Sequence, residues 1–310
     1  MNKNFFKDSL MVLPFILLFF SACSAKVAEN TEDANNVKDQ SITAEVLQTS
    51  LVNPVDNGKD VKVKIKTTLG DITILLYGET PLHQKNFIKL VNEKFYDGIL
   101  FHRVIKDFMI QAGDPDSKTA AKGQMLGSGG PGYTIPAEFR TDLFHKKGAL
   151  SAARTGDQMN PEKKSSGSQF YIVQGTKYND MQLTQMDAQL EAQSYMPLIR
   201  KYLSENPEEM KKVQDKQNAG DQAGLQAIID EITKRLKAEH PEIKPLKLSE
   251  KQKEIYKTIG GTPHLDGNYT VFGEVIEGLE VIDKIAAFAT DASDRPVEDV
   301  KIISMELIDK

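Results

Sequence analysis

Residues 101–114 read FHRVIKDFMIQAGD, a stretch rich in apolar residues among which His102, Arg103 and Gln111 stand. The pattern predicts two short strands, 101–105 and 108–111, joined by a turn at a Lys-Asp pair. An arginine in an apolar strand is uncommon, because burial of an unpaired charge costs several kcal/mol or more. Arg103 therefore has either a structural ion-pair partner or a place in a cleft, where it meets a ligand.

Short strands are also predicted on both sides of this stretch. Their ranges are 61–67, 71–77, 147–152, 169–174, 269–276 and 300–308. A helix is predicted over 81–93, because Thr80 and Pro81 provide an N-cap and a proline at the first helical position. A second helix is predicted over 279–288. Many short strands with few helices favour a β-barrel or a β-sandwich.

Residues 181–258 have a different composition, rich in Gln, Lys, Glu, Leu and Met, and they contain helix signals. Asn206-Pro207 is typical of a helix start, and Ser249 with Gln252 forms a capping-box pattern. The segment predicts three or four helices inserted into the β domain. Its 13 basic and 13 acidic residues cancel, so it has no polybasic patch. Its methionines either contact varied unfolded segments or fill the insert's own core.

Composition limits the class of protein. The 310 residues, 40% of them hydrophobic, suffice for one large domain or two modest ones. A net charge of -5 argues against bulk electrostatic attraction, so no nucleic-acid partner is predicted. The five histidines show no paired metal spacing and the chain has one cysteine, so neither a metal nor a cofactor is predicted. The glycine-rich run at 127–132 lacks the Lys-Ser/Thr of a phosphate-binding loop, which favours a plain loop.

The N-terminus predicts export. Two lysines precede an apolar run from Leu10 to Phe20, and small residues lead to Cys23. This order is typical of a secretory signal over residues 1–23, and the run is shorter than the roughly 20 residues of a membrane-spanning helix. The run LFFSAC resembles a bacterial lipoprotein box, in which the cysteine is acylated and becomes the mature N-terminus. An ordinary signal peptide with an incidental cysteine is the alternative.

The lipoprotein resemblance implies a location in the cell envelope. Cys23 would anchor the protein to the membrane, with the folded part facing the periplasm. Residues 24–60 are polar and have no hydrophobic period, which predicts a flexible tether between the membrane and the domain. A single cysteine excludes an internal disulfide.

Four motifs follow one another in the folded part of the chain. They are FHRVIKDFMIQAGD at 101–114, GALSAAR at 148–154, SSGSQFYIVQG at 165–175 and HLDGNYTVFGEV at 264–275. In this order they resemble the signatures of the cyclophilins, the cyclophilin-type peptidyl-prolyl cis–trans isomerases. The resemblance covers 61–180 and 259–310 and implies an eight-stranded antiparallel β-barrel closed by two helices. Residues 181–258 would then be a helical insert in a mainly β fold.

The resemblance also implies roles for individual side chains. Arg103 corresponds to the catalytic arginine of the family. The residues that correspond to substrate-binding positions are Phe108, Met109, Gln111, Ala153, Arg154, Gln169, Tyr171, His264, Leu265 and Tyr269. Tyr171 stands where the family usually has phenylalanine, Tyr269 replaces a frequent histidine, and His264 lies where many members have tryptophan. Phe108 and Met109 would point to opposite faces of a regular strand, so a twist or bulge is expected before them.

Each of these residues also has a structural interpretation. Phe108, Met109, Tyr171 and Leu265 can be ordinary core residues, and His264 can belong to a surface loop. Arg103 can be half of an internal ion pair. The four-motif match favours the pocket for this set, whereas His102 is expected to make a structural hydrogen bond.

The chemistry of prolyl isomerisation suits an arginine. Rotation about the X–Pro bond crosses a barrier of roughly 18–20 kcal/mol, because it breaks amide conjugation. In the twisted state the proline nitrogen regains a lone pair, to which a guanidinium can donate more strongly than in either ground state. The predicted function is isomerisation of X–Pro bonds in polypeptides of the cell envelope, which assists protein folding. A non-catalytic peptide-binding chaperone is the alternative, against which Arg103 argues; a structural envelope lipoprotein would not need the pocket residues.

Overall fold

The structure is a computed structural model of the chain and describes residues 58–308. The predicted signal at 1–23 and nearly all of the predicted tether at 24–60 lie outside the described residues. Within 58–308, no helix combines the length and the apolar composition that a bilayer crossing requires.

Ten strands are present between residues 58 and 308. They are β1 (Val61–Thr67), β2 (Gly70–Leu76), β3 (Arg103–Ile105), β4 (Met109–Ala112), β5 (Thr134–Ile135), β6 (Ala149–Ala152), β7 (Ser165–Ser166), β8 (Phe170–Val173), β9 (Val271–Glu277) and β10 (Ile302–Leu307). Eight of them form one sheet in the order β10-β1-β2-β9-β6-β8-β4-β3, and every pair of neighbours in it is antiparallel. β5 and β7 pair separately as a short ribbon that the sequence did not predict, because two-residue strands have no readable period.

Backbone hydrogen bonds connect the segments next to the two edge strands, β3 and β10. Gly98 N–H donates to the Ile302 carbonyl at 2.8 Å. Phe101 N–H donates to the Val300 carbonyl at 2.9 Å. These bonds join the two edges of the sheet, so the mainly β, eight-stranded antiparallel barrel implied by the resemblance is confirmed.

Six helices accompany the strands in the described part of the chain. They are α1 (Pro81–Asn92), α2 (Asp180–Glu205), α3 (Pro207–Asn218), α4 (Gln222–Glu239), α5 (Glu250–Thr258) and α6 (Leu279–Ala286). Phe87 and Leu90 of α1 and Ile282 and Ile285 of α6 are buried in one core with the inward side chains of the sheet. The barrel therefore has the two predicted covering helices.

Strand ends differ from the sequence prediction by one or two residues. The hairpin predicted over 101–105 and 108–111 forms over β3 and β4, which begin at Arg103 and Met109. Phe101 is not part of the hairpin ladder, because its N–H bonds to the chain before β10. Phe108 is not part of it because it lies in the turn, where its N–H donates to the Ile105 carbonyl at 3.1 Å.

The insert consists of four helices, α2 to α5, and packs around two separate cores. The distal core contains buried apolar residues of α2, α3 and α4, from Tyr195 to Leu236. The proximal core joins the insert to the barrel; its buried members are Phe144, Leu183, Leu190, Leu248 and Tyr256. The insert is therefore attached to the β domain by packing as well as by chain connection.

The methionines of the insert have mixed surroundings. Met196 and Met210 pack against the distal core, and Met186 packs against the proximal core. Met181 is 72% exposed. Core filling thus accounts for three of these four side chains, and one is available for contact with another molecule.

Candidate active site

One row of side chains crosses five strands of the sheet. Arg103 lies opposite Gln111, which lies opposite Tyr171 on β8. Tyr171 in turn lies opposite Ser151 on β6, and Ser151 lies opposite Val271 on β9. Because strand side chains alternate between faces, this row shares one face, while neighbouring residues in β3, β4 and β8 enter the barrel core.

The turn between β3 and β4 sets the direction of Phe108. Asp107 has a left-handed backbone, with φ at 64°, and its N–H donates to Gln174 Oε1 at 2.6 Å. The Phe108 carbonyl accepts from Gln174 N–H and Gly175 N–H, both at 3.0 Å. Phe108 is held outside the strand, so the alternation that separates adjacent strand residues does not apply to Phe108 and Met109.

The row and the turn border a cleft of about 360 Å³. Nine of the residues predicted from sequence line it: Arg103, Phe108, Met109, Gln111, Ala153, Arg154, Tyr171, Leu265 and Tyr269. His264 is exposed beside the cleft, and its ring stacks on Phe108 with centroids 5.6 Å apart. Gln169 lies behind the lining, where its Oε1 accepts from Gln111 Nε2 at 3.0 Å.

Arg103 forms an ion pair and also lines the cleft. Its side chain is 43% exposed and lines the cleft, and its Nε lies 3.5 Å from Asp294 Oδ2. The ion pair uses the Nε edge of the guanidinium. Neither terminal guanidinium nitrogen has a hydrogen bond to another residue in the described part of the chain. These N–H groups are therefore available to a molecule in the cleft.

The family comparison agrees with this geometry. The model for the cyclophilin-type peptidyl-prolyl cis–trans isomerases matches residues 62–190 and 204–307. The chain belongs to the cyclophilin family. It is thus a peptidyl-prolyl cis–trans isomerase acting on proline-containing polypeptides, as the motifs predicted.

Curated relatives of this cyclophilin include bacterial proteins. A Staphylococcus haemolyticus protein named as a peptidyl-prolyl cis–trans isomerase is 32% identical over 252 residues, which cover 81% of this chain and 93% of the relative. A Streptococcus pyogenes protein, whose name adds a phosphatase, is 32% identical over 82% of this chain; the match spans only 40% of that longer protein. A crystal structure of a Cryptosporidium parvum cyclophilin-type isomerase covers 81% of this chain and 99% of its own, with 20% identity and a TM-score of 0.46.

One wall of the cyclophilin cleft was not predicted from the sequence. This wall consists of Gln124, Met125, Leu126, Gly127, Ser293 and Arg295, with His102 at its base. Two buried charges hold it in place. The Asp114 carboxylate accepts from Gly127 N–H at 2.5 Å, and the Arg295 guanidinium donates to the carbonyls of Ala121 and Gln124 at 2.8 and 3.1 Å. Asp114 is the last residue of the 101–114 motif. A charged residue at the end of this stretch was the only sequence signal that this wall exists.

The main chain at Ala153 and Arg154 has one open position. Ala153 N–H donates to the Gln169 carbonyl, and the Ala153 carbonyl accepts from Ser166 N–H. The Arg154 backbone N–H and carbonyl have no such partner among residues 58–308, whereas its guanidinium bonds to the Asn268 carbonyl and lies over the Tyr269 ring. Main-chain recognition of a peptide by this stretch, which the resemblance implies, is therefore available at Arg154.

His102 does not make the structural hydrogen bond expected from the sequence. It is 4% exposed, and neither ring nitrogen has a hydrogen-bond partner of normal geometry among the described residues. Burial lowers the pKa of His102 to about 4, although the Asp114 carboxylate and the Leu100 carbonyl act in the opposite direction. The imidazole is thus neutral at physiological pH and adds no charge beside Arg103.

No group of three or more His, Cys, Asp or Glu side chains in residues 58–308 is arranged to hold a metal ion.

Proposed function

We propose that this cyclophilin isomerises X–Pro bonds in polypeptides of the cell envelope and thereby assists their folding, with Arg103 as the catalytic residue. The observation that carries the proposal is the position of the Arg103 guanidinium at the edge of an apolar pocket. Phe108, Met109, Tyr171 and Leu265 provide the apolar walls for a proline ring.

The cleft can hold both sides of the X–Pro bond. A free N–H of Arg103 donates to the proline nitrogen when rotation restores its lone pair. Gln111 lies opposite Arg103 in the strand register, and its amide is oriented by the bond to Gln169. Gln111 can therefore bind the carbonyl side of the same bond while the proline ring remains in the apolar pocket.

The arginine supplies part of the acceleration. A hydrogen bond to a charged group contributes about 1.5–3 kcal/mol. A tenfold increase in rate requires the barrier to fall by about 1.4 kcal/mol. Arg103 alone therefore supplies a roughly ten- to hundredfold rate increase. Any larger acceleration comes from fixing both ends of the bond in a poorly solvated cleft.

Substitution of the guanidinium tests this assignment. Arg103→Ala, shown to be folded by its urea midpoint, should lose at least tenfold in kcat on an X–Pro tetrapeptide, because the lost bond forms in the transition state. Arg140→Ala is a matched control, since Arg140 pairs with Asp142 outside the cleft. Turnover near the wild-type value in folded Arg103→Ala would refute the role.

We propose that the insert helps to hold protein clients near the two points where it joins the barrel. The insert begins and ends beside the cleft, where Thr176 pairs with Gly261 between two lining residues, Tyr171 and Leu265. Exposed apolar side chains lie near these ends, Met181 at 72% and Ile259 at 48% exposure.

A double substitution tests the client-holding role. Met181→Ser with Ile259→Ser removes the two exposed apolar side chains and leaves the buried members of the proximal core in place. Tetrapeptide isomerisation should stay within about twofold of wild type, while catalysis of a proline-limited refolding reaction should slow. Equal activity of the two chains on the refolding protein would exclude the role.

We propose that Cys23 carries a lipid anchor that holds the folded domain at the membrane, facing the periplasm. The LFFSAC run and the polar composition of residues 24–60 support the proposal. Cys23→Ser should move the protein into the soluble envelope fraction or leave its signal uncleaved. A processed Cys23→Ser protein that remains membrane-bound would contradict the anchor.

A further inference from the structure

A buried chain of hydrogen bonds runs from the last helix of the insert to the wall of the cleft. The Tyr256 hydroxyl on α5 donates to Asp266 Oδ2 at 2.6 Å. Asp266 Oδ1 accepts from His145 Nδ1 at 2.8 Å. His145 Nε2 lies 2.9 Å from the hydroxyl of Tyr171, whose ring lines the cleft. We call these four residues the Tyr256–Tyr171 chain.

The chain is shielded from water along its length. Tyr256 and His145 are fully buried, Tyr171 is 4% exposed, and the Asp266 side chain is 13% exposed. Burial raises the pKa of both tyrosines, and the nearby Asp266 carboxylate raises that of Tyr256 further, so both phenols keep their protons. Since the Asp266 carboxylate can only accept, its two bonds fix Tyr256 O–H and His145 Nδ1–H as donors.

These two donors leave one ring nitrogen of His145 to bond to Tyr171. Because Nδ1 bonds to Asp266, Nε2 is the remaining ring nitrogen, and it forms the bond to the Tyr171 hydroxyl. His145 N–H also donates to Asp266 Oδ1, at 2.9 Å, which fixes the backbone of His145 to the same carboxylate. A fully satisfied polar network in a buried site is rigid, so its members move together.

Ring contacts fix the two ends of the chain. The Tyr256 ring meets Phe144 edge-on, with centroids 5.6 Å apart, in the proximal core. The Tyr171 ring stacks on His145 at 6.0 Å and meets Tyr269, another lining residue, edge-on at 5.9 Å. Asp266 directly follows Leu265, which also lines the cleft. A shift of Asp266 or His145 is therefore transmitted to three walls of the pocket.

We propose that Tyr256, Asp266 and His145 are positioning residues that orient Tyr171, so that the insert's last helix sets the shape of the pocket. The inference rests on the proposed function, which places the proline ring beside Tyr171. The phenol at this position, where the family usually has phenylalanine, gives the pocket wall a polar handle that the insert reaches. Without the Tyr171 hydroxyl, the chain would end at His145.

A double-mutant cycle on the full-length protein tests the coupling. Tyr256→Phe and Tyr171→Phe each remove one hydroxyl and keep the ring. Each should raise KM for an X–Pro tetrapeptide by about three- to fivefold, the scale of one hydrogen bond, with kcat nearly unchanged. The double variant should match Tyr171→Phe alone, because the chain no longer reaches the pocket in either case. Tyr202→Phe is the control, since the Tyr202 hydroxyl bonds to Arg235 within the distal part of the insert.

A readout independent of catalysis separates this inference from the proposed function. In protein with ¹³C-labelled tyrosine rings, the Tyr171 resonance, assigned from Tyr171→Phe, should move in Tyr256→Phe and not in Tyr202→Phe. Asp266→Ala breaks the same link by removing the carboxylate that Tyr256 binds, and it serves as a second variant should Tyr256→Phe fold poorly. The resonance shift should persist in an Arg103→Ala background, whatever that variant does to turnover.

Three results would overturn the proposal. Additive changes in KM would show that the two hydroxyls act separately. An unmoved Tyr171 resonance in both Tyr256→Phe and Asp266→Ala would show that the insert does not orient the pocket. A lower urea midpoint with unchanged KM would reduce the chain to structural support.

Discussion

The buried His102 should make the stability of the protein depend on pH, and His102→Gln should remove that dependence. The imidazole is 4% exposed, and burial lowers its pKa to about 4 from an ordinary value of 6.5. The unfolded chain therefore binds a proton that the folded chain does not bind between these two values. Stability rises with pH wherever the unfolded state binds more protons. The contribution of His102 is present above pH 6.5 and is lost as the pH falls toward 4.

The magnitude follows from the two pKa values. At pH 7 the difference in proton binding changes the free energy of unfolding by only a few tenths of a kcal/mol. At pH 5 the unfolded imidazole is almost fully protonated while the folded one is almost neutral, and the loss reaches about 2 kcal/mol. Wild type should therefore lose about 2 kcal/mol more than His102→Gln between pH 7 and pH 5.

Urea unfolding at the two pH values measures this difference. The other histidines and the carboxylates titrate in both proteins, so the subtraction isolates His102. His240→Gln on the insert surface is a matched control, because that imidazole is partly exposed and pairs with Glu242. An equal loss of stability in wild type and His102→Gln would refute the argument that the buried imidazole resists protonation.

Three further substitutions test the surroundings of the cleft. Asp294→Asn should lower kcat/KM less than fivefold, because the ion pair with Arg103 is about half exposed and such pairs contribute about 0–1 kcal/mol. This effect should vanish in an Arg103→Ala background. A loss of kcat/KM as large as that of Arg103→Ala would contradict the prediction. Gln169→Leu should lower kcat/KM about fivefold by freeing Gln111 and the carbonyls of Gly127 and Gly129, and unchanged peptide kinetics would argue against that support. Gly261→Ala should lower the free energy of unfolding by about 1–3 kcal/mol, because its Cβ would lie 2.2 Å from the His145 carbonyl oxygen; Gly156→Ala, with open space around it, should show no comparable loss in the same urea titration.

Local pattern predicted those parts of the site that lie on strands. Met109 and Gln111 line the cleft while Ile110 enters the core, as the period of two requires. The residues that pattern could not place lie in loops. Ser293 and Arg295 have no periodic neighbours, and the chain brings them to the cleft from a point almost 200 residues after His102.

Partnerships between distant residues were also beyond the sequence. Nothing near Arg103 in the chain indicates that Asp294 is its ion-pair partner. Asp294 lies in the loop before β10, and the left-handed backbone of this residue is set by that loop. The resemblance grouped His264 and Gln169 with the pocket, but it could not show that His264 is exposed beside it or that Gln169 stands one layer behind. Those positions are set by packing, which a list of residue types does not contain.

The separate core of the insert has a consequence for how the barrel folds. Roughly one hundred residues lie between β8 and β9, both of which must pair with β6. The distal core is built from buried residues between Tyr195 and Leu236, with Ile243 packed against them, so these helices can pack before β9 has been synthesised. Once α2 to α4 have packed, the free part of the loop between β8 and β9 is less than half as long, which lowers the entropy cost of closing it by roughly 0.8 kcal/mol. Packing of the insert thus shortens the loop that must close before β9 can pair with β6. The barrel therefore tolerates a long insertion with a small loss of conformational entropy.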